Sequence, residues 1–225
     1  MIYNWGEVNA PYGGDVKIQG GVSRINMVNN YYIPGPATPT ALKFMHALYS
    51  QNENTGVGQW HLSGNIMEGN SELTNNNWKG LDLSALPSNA RNEAMVTKAF
   101  NMEVGLSTES AREAYISVLS NAGATLPKRD AVDERIVSET KKRTASGTGK
   151  SGKPGIIDSP ASIGGWDNYK TVAAPADSDS DGMPDDWEKK NKLNPSDSED
   201  RNIVGKDGYT MLEQYLNFLI KNKFL

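Results

Sequence analysis

The chain has 225 residues, enough to bury a real core as one large domain or as one domain with an appendage. Apolar residues make up 37% against 22% charged, with 22 Gly, 11 Pro and no cysteine, which excludes disulfides and thiolate metal sites. The net charge of -4 lies wholly in the last 55 residues, since 1–170 hold 16 acidic and 16 basic side chains and 171–225 hold 11 and 7. This points to cation binding in the tail and argues against nucleic acid as a partner.

Residues 1–105 read as short strands broken by turns. "MIYNW" (1–5), "RINMVNNYYI" (24–33) and "HLSGNIMEGN" (61–70) are β-prone apolar runs, each containing asparagine. Asn4 and Asn29 are 25 residues apart and Asn65 lies 36 further on; of 22 Asn, 15 fall within the first 101 residues. Irregular coils of that length, with Asn recurring at similar turns, predict a right-handed parallel β-helix whose corner amides bond to one another and to backbone. A β-sandwich of hairpins is the alternative. The fold class expected is mainly β: late coils of a right-handed parallel β-helix, then two helices, a linker and a small calcium-binding α/loop tail.

Two helices follow within 106–143. In the first, Ala111, Ala114, Tyr115, Val118 and Leu119 form an apolar stripe; Ser110 with Glu113 makes a capping box, or Ser107 caps one turn earlier, and Gly123 marks the stop. In the second, Asp130 is the N-cap, Val132, Ile136 and Val137 face inward, and Lys141, Lys142 and Arg143 suit the negative end of the helix dipole. Residues 144–170 are a linker or extended segment, opening on "TASGTGKSGKPG". That stretch is one residue from a phosphate-binding P-loop, but Thr144 stands where the first glycine belongs, a charged helix end precedes it and Pro154 prevents a helix from following.

The tail, 171–225, contains "DSDSDGMPDDWE". A twelve-residue calcium loop supplies oxygens from positions 1, 3, 5, 7, 9 and 12. Here these are Asp177, Asp179, Asp181, the Met183 carbonyl, Asp185 and Glu188, with Gly182 at the sharp turn of position 6. The predicted ligand is Ca2+, and the bland reading is a solvated acidic turn. No entering helix precedes Asp177, and Pro184 denies position 8 the N–H that paired EF-hands share, so the loop is a structural clip and no sensor. Pro184 opens an exit helix, "PDDWEKKNKL", which Asn194-Pro195 ends. A last helix follows, with a Thr210–Glu213 capping box and Leu212, Tyr215, Leu216 and Leu219 on one face. Around Asp207-Gly208 a second loop is half-formed: positions 1, 3 and 12 would be Ile203, Gly205 and Gln214, leaving Asp197 and Asp200 as possible outside ligands.

Other chemistry is thin. His46 and His61 have no partner at a telling spacing and read as structural, and the five Trp read as core more readily than as sugar platforms. No nucleophile elbow, zinc pattern or acid/base pair is visible. No apolar run approaches 18 residues, so no membrane span is expected, and "MIYNWGEVNA" has no signal-peptide pattern.

Taken together, "IYNWG", "YGGD" and "INMVNNYYIPGPAT" resemble the late coils of bacterial pectate lyases of polysaccharide lyase family 1, of the kind common in Bacteroidetes. "NAGATLPKRDAVDERIV" and "GIIDSPASIGGW" are similar to the segments that follow in those proteins. "DSDSDGMPDDWEKKNKLNPSD" with "DGYTMLEQYLN" resembles their calcium-binding tail, itself like thrombospondin type 3 and dockerin loops. The resemblance implies a secreted, cell-surface or periplasmic calcium-dependent enzyme that cleaves pectin or polygalacturonate by β-elimination. In that reaction calcium pairs with the uronate carboxylate, an arginine takes the C5 proton and the 4–5 double bond forms as the glycosidic oxygen leaves. Family members carry the catalytic groups in coils before the "IYNWG" segment. The catalytic residues of this chain are therefore unknown, with Arg24, Arg91 and Lys43 outside any matching motif. The expectation is the C-terminal portion of a longer enzyme, inactive alone, existing as a monomer or with the N-terminal part of the same enzyme as its partner. The alternatives are a non-catalytic calcium-stabilised carbohydrate-binding or docking module, and a β-helical surface protein without lyase ancestry.

Overall fold

The structure, a computed structural model, describes residues 1–6, 11–14, 21–47, 57–102, 107–123, 125, 128–170 and 173–221. The first strands, β1 (Ile2–Tyr3) and β2 (Tyr12–Gly13), are two residues each. "RINMVNNYYI" does not continue as one strand, because Asn29 lies at φ 57°, a left-handed backbone that asparagine tolerates better than most side chains. The chain turns there, separating β3 (Arg24–Val28) from β4 (Tyr31–Ile33). After β5 (Met45–Ala47) the same break recurs, with Gly64 at φ 67° between β6 (Gln59–Ser63) and β7 (Ile66–Met67), before β8 (Leu81–Asp82).

Every described pairing of these strands is parallel and joins a strand to the one three further on. β1-β4-β7 form one sheet, β2-β5-β8 a second and β3-β6 a third. Ile2 lies opposite Tyr32, Tyr31 opposite Ile66, His46 opposite Tyr12 and Asp82, and Arg24 to Val28 opposite Gln59 to Ser63. Met95 continues the third sheet as a parallel bridge to Trp60. A sandwich of hairpins would pair neighbouring strands antiparallel, and these strands do not. Among the described residues 31% are helical and 15% strand, a mixed content where the sequence predicts a mainly β chain. The described strands are two to five residues each, and the described residues after Met102 are mostly helical or irregular.

The side chains between the sheets form the core. Tyr32, Phe44, Trp60, Leu62, Met67 and Leu81 are buried, Tyr32 packs 4.8 Å from Phe44 and Trp5 meets Tyr32 edge-on at 6.2 Å. Each such aliphatic or aromatic burial contributes roughly 1.5–3 kcal/mol. Gly14 has φ 89°, and a Cβ there would fall 2.0 Å from Cζ2 of the fully buried Trp60, so conformation and contact both demand glycine.

Amides fill the corner before the first sheet. Asn65 is 1% exposed; its Oδ1 accepts from the backbone N and from Nδ2 of Asn30, both at 3.0 Å, and its Nδ2 donates to the Met27 carbonyl at 2.7 Å. Asn77 Oδ1 accepts from Asn65 N at 2.8 Å, and Asn77 Nδ2 returns a bond to the Asn65 carbonyl at 2.9 Å. One amide thus satisfies buried donors and acceptors together, which is why asparagine recurs here. Asn30, one residue beyond Asn29, is the partner of Asn65. Asn4 belongs to another corner, where its Oδ1 accepts from Ala37 N at 2.7 Å.

Two short helices, α1 (Ser71–Asn75) and α2 (Arg91–Ala94), sit within the connections. α3 (Ala111–Asn121) starts at the Ser110–Glu113 capping box, and Ala111 and Leu119 are buried on its inner face. α4 (Ala131–Lys142) starts where Asp130 Oδ1 accepts from Asp133 N at 2.8 Å. Its Ile136 is 47% exposed, and Thr140 fills the inner position expected of an apolar residue, its hydroxyl donating to the Ile136 carbonyl at 2.8 Å. After α4 the chain stays tied to the first strand: Tyr3 Oη donates to the Thr144 carbonyl at 2.5 Å and Asn4 Nδ2 to the Pro154 carbonyl at 3.0 Å.

The chain forms two compact units, Met1–Thr125 with Arg129–Asp167, and Leu126–Lys128 with Asn168–Leu225. In the first, Arg143, left-handed at φ 59°, fastens the helical segment to the first sheet. Its Nε donates to Glu68 Oε1 and its Nη2 to Glu68 Oε2, each at 2.6 Å, while its guanidinium lies 5.6 Å from the Tyr115 ring and Tyr115 stacks on Tyr31 at 4.9 Å. Hydrogen bonds from Arg143 hold the Glu68 carboxyl below its ordinary 4.5, against burial. A carboxylate depressed in the folded state stabilises above its unfolded value and loses that contribution as pH falls through the folded one. Arg143→Ala is therefore expected to cost about 1.5–3 kcal/mol at neutral pH. In denaturant melts the gap from wild type should close below pH 4.5; a pH-independent gap would count against the pair.

Candidate metal centre

The second unit is built around the acidic loop. Asp177 nucleates its turn, Oδ1 accepting from Asp181 N at 3.2 Å and Oδ2 from Gly182 N at 3.1 Å. Gly182, at position 6, has φ 98°, which a side chain would resist. Asp181 Oδ1 accepts from Met183 N at 2.7 Å, and the Asp185 N donates to the Ala176 carbonyl at 2.9 Å, drawing the loop ends together. α5 (Asp185–Lys190) exits from Pro184, which is its N-cap. It ends four residues before Asn194. Lys192 turns left-handed at φ 65°, with Lys192 N donating to the Lys189 carbonyl and Leu193 N to the Glu188 carbonyl, a Schellman closure.

α6 (Met211–Lys221) begins at Thr210, whose backbone N and hydroxyl both donate to Glu213 Oε2, at 2.7 and 2.8 Å. Tyr215 of α6 meets Trp187 of α5 at 5.2 Å. Leu212 and Tyr215 are half-buried, whereas Leu216 and Leu219, expected on the same inner face, stay 50% and 46% exposed.

Two acidic triads result, each with one oxygen per residue inside a 4.8 Å span: Asp177–Asp179–Asp181, and Asp181–Glu188–Asp200. Asp181, Glu188 and Asp200 are buried, Glu188 completely. Both oxygens of Asp179, both of Glu188, Oδ2 of Asp181 and Oδ1 of Asp200 are buried without a hydrogen-bond partner. A buried carboxylate left unpaired costs several kcal/mol, so such a cluster must take up protons or a cation. Burial, reinforced by Asp179, Asp181, Asp200 and Asp185, pushes the Glu188 carboxyl up to about 7; burial likewise raises Asp181. The orphaned oxygens therefore fit a hard divalent cation held by oxygen ligands.

Of the sequence-predicted ligands, Asp177, Asp179, Asp181 and Glu188 enter the triads, and Met183 is fully buried beside them. Asp185 is directed elsewhere: its oxygens accept from Ser178 N at 2.7 Å and Ser178 Oγ at 2.8 Å, which with other bonds holds its carboxyl below the usual range. Asp200 was considered only for a second site. The Asn194–Asp200 turn that brings it to the first loop has no signature in the spacing from Glu188. Near Asp207 no acidic group gathers among the described residues; Asp207 Oδ1 accepts from Gln214 Nε2 at 3.1 Å and Tyr209 N at 3.3 Å.

Elsewhere the basic side chains and histidines considered in the sequence have structural attachments. Arg24 lies 5.9 Å from the Phe100 ring, Arg91 donates to the Leu86 and Ser84 carbonyls, and Lys43 Nζ donates to the Lys79 carbonyl at 2.8 Å. His61 lies between the Val96 carbonyl and Ser63 Oγ. His46 Nδ1 is 2.9 Å from Asp82 Oδ2, a pairing across adjacent strands that spacing did not disclose. Trp5 and Trp60 are core residues, and Trp166 is 78% exposed.

No family model matches the chain. It is, however, similar over its whole length to curated fungal proteins named "Probable pectate lyase C". Identity is 29% over 227 residues with the Aspergillus flavus protein and 26% over 224 residues with that of Aspergillus fumigatus; the alignment covers 100% of this chain and 48% of each relative. The protein of Emericella nidulans is 27% identical over 220 residues, which covers 98% of this chain and 46% of its own. The chain thus spans about half the length of the curated relatives it matches, and its likeness is to pectate lyases.

Proposed function

We propose that the chain is part of a secreted, calcium-dependent pectate lyase acting on pectin or polygalacturonate. In this reading the three sheets are late coils of a right-handed parallel β-helix, and residues 171–225 are a calcium-clamped tail. Similarity over the whole of this chain to proteins named pectate lyase carries the reading, and the parallel pairing of each of β1 to β5 with the third strand after it supports the β-helix. No described helix is long and apolar enough to cross a membrane.

Calcium is the cation proposed, because an all-oxygen set with this many carboxylates suits its six- to eight-fold coordination. Bound there, it would offset part of the negative charge of Asp177, Asp179, Asp181, Glu188 and Asp200 and hold the loop in one conformation. No proton-abstracting group is assigned to this chain, since Arg24, Arg91 and Lys43 already bond to its own backbone or ring. Elimination is referred to residues of the enzyme outside it. A two-loop docking module is the weaker alternative, because Asp207 is engaged by Gln214.

Two measurements test these statements. Hydrogen exchange of the 177–190 amides should slow when calcium is added, by about 2.7 kcal/mol at a hundred times the dissociation constant. In chelator, at a pH above 7 where the Glu188 carboxyl is charged, Glu188→Gln should exchange no faster than wild type, and in calcium the order should reverse. Exchange indifferent to calcium would contradict the metal assignment. Incubated with polygalacturonate and calcium, the chain alone should release no unsaturated uronide, detected by ultraviolet absorbance. Sustained release would place catalytic groups within these residues, and retention of residues 171–225 on a pectin column would favour the binding module.

A further inference from the structure

We infer that Asp200 is a direct ligand of the same divalent cation, reaching the site from twelve residues beyond the end of the loop. The inference rests on the reading of the acidic loop as a metal site and adds a residue that the twelve-residue pattern does not contain.

Position nine of such a loop supplies a ligand, often through water. Here Asp185 occupies that position, and both its oxygens are turned onto Ser178. Asp200 supplies the oxygen instead. It is 7% exposed and stands with Asp181 and Glu188 in the triad of buried carboxylates. Its two oxygens have separate tasks. Oδ2 accepts from Asn194 N at 2.7 Å, which fixes the side chain, while Oδ1 is buried with no partner. The backbone holds that pose, with Asp200 N donating to the Asp197 carbonyl at 3.1 Å and Ile203 N to the Asp200 carbonyl at 3.0 Å.

A purely structural acceptor would not explain this placement. One oxygen suffices for Asn194, and an amide would serve as well without adding negative charge beside Asp181 and Glu188. The adjacent cation does not neutralise it either: Arg201 Nη1 donates to the Asp181 backbone carbonyl at 3.4 Å. A divalent ion in contact with Oδ1 removes the conflict and ties the 194–203 segment to the loop, so that the ion fastens two stretches of chain.

The test uses the full chain, calcium titrated by calorimetry, and terbium luminescence lifetimes in H2O and D2O to count metal-bound water. Asp200→Asn keeps an acceptor for Asn194 and presents an amide to the metal. It should weaken calcium binding by roughly 10–100-fold and add one coordinated water to terbium. Asp200→Glu should recover part of the affinity, and Asp186→Asn, at an exposed carboxylate, should leave it unchanged. In the wild type, calcium should slow hydrogen exchange of the Asn194 and Ile203 amides, a readout that needs no variant. Calcium binding with unchanged affinity and hydration in Asp200→Asn, or protection confined to 177–188, would overturn the inference while leaving the metal site standing. Failure of the wild type to bind calcium would overturn both.

Discussion

Asp179, Asp181, Glu188 and Asp200 bury six oxygens that have no hydrogen-bond partner, and all four residues belong to two acidic triads that share Asp181. Carboxylates cannot occupy a dry volume in that number without protons or a cation, and the nearby Arg201 donates to the Asp181 backbone carbonyl. The arrangement of the second unit follows from this constraint. The loop is folded by Asp177 on its own amides, α5 is oriented so that Glu188 points inward, and the Asn194–Asp200 turn returns a further carboxylate to the same place. Without a cation, Glu188 relieves the repulsion by holding its proton up to about pH 7. The proposed calcium replaces that proton.

The first unit solves a different problem with neutral groups. Parallel strands of two to five residues leave many backbone groups at corners, and side-chain amides satisfy them there. Asn65 and Asn77 are inside the corner, with bonds in several directions at once. Helices α3 and α4 are then fastened to the first sheet by the Arg143–Glu68 pair and the stacked Tyr31 and Tyr115. Tying the helical segment this way uses a bidentate charge-assisted contact where apolar cover is sparse, as the exposed Ile136 shows.

The features legible in the sequence were those whose determinants lie close together along the chain. Ser110 with Glu113, Asp130 with Asp133, and Thr210 with Glu213 are caps within one turn, and each forms. The grouping of Asp177, Asp179, Asp181 and Glu188 was readable for the same reason, whereas Asp185 is engaged by Ser178 at a distance of seven residues. Apolar runs were legible as β structure but not as pairs of strands, because Asn29 and Gly64 break them only through backbone conformation. Asn4 was grouped with Asn29 by spacing, although it serves another corner. Partners brought together by the fold were not legible: Glu68 with Arg143, His46 with Asp82, and Asp200 with Glu188. "TASGTGKSGKPG" reads by composition as a flexible linker, yet contacts with Tyr3 and Asn4, about 140 residues away, tie the 144–154 backbone down.

The most direct measurement is the electron density at the loop in crystals of the chain grown with calcium. The account predicts one strong peak about 2.3–2.6 Å from oxygens of Asp177, Asp179, Asp181, the Met183 carbonyl, Glu188 and Asp200, with Asp185 bonded to Ser178. Density showing those carboxylates ordered but without an ion, or an ion bound elsewhere in the chain, would contradict it.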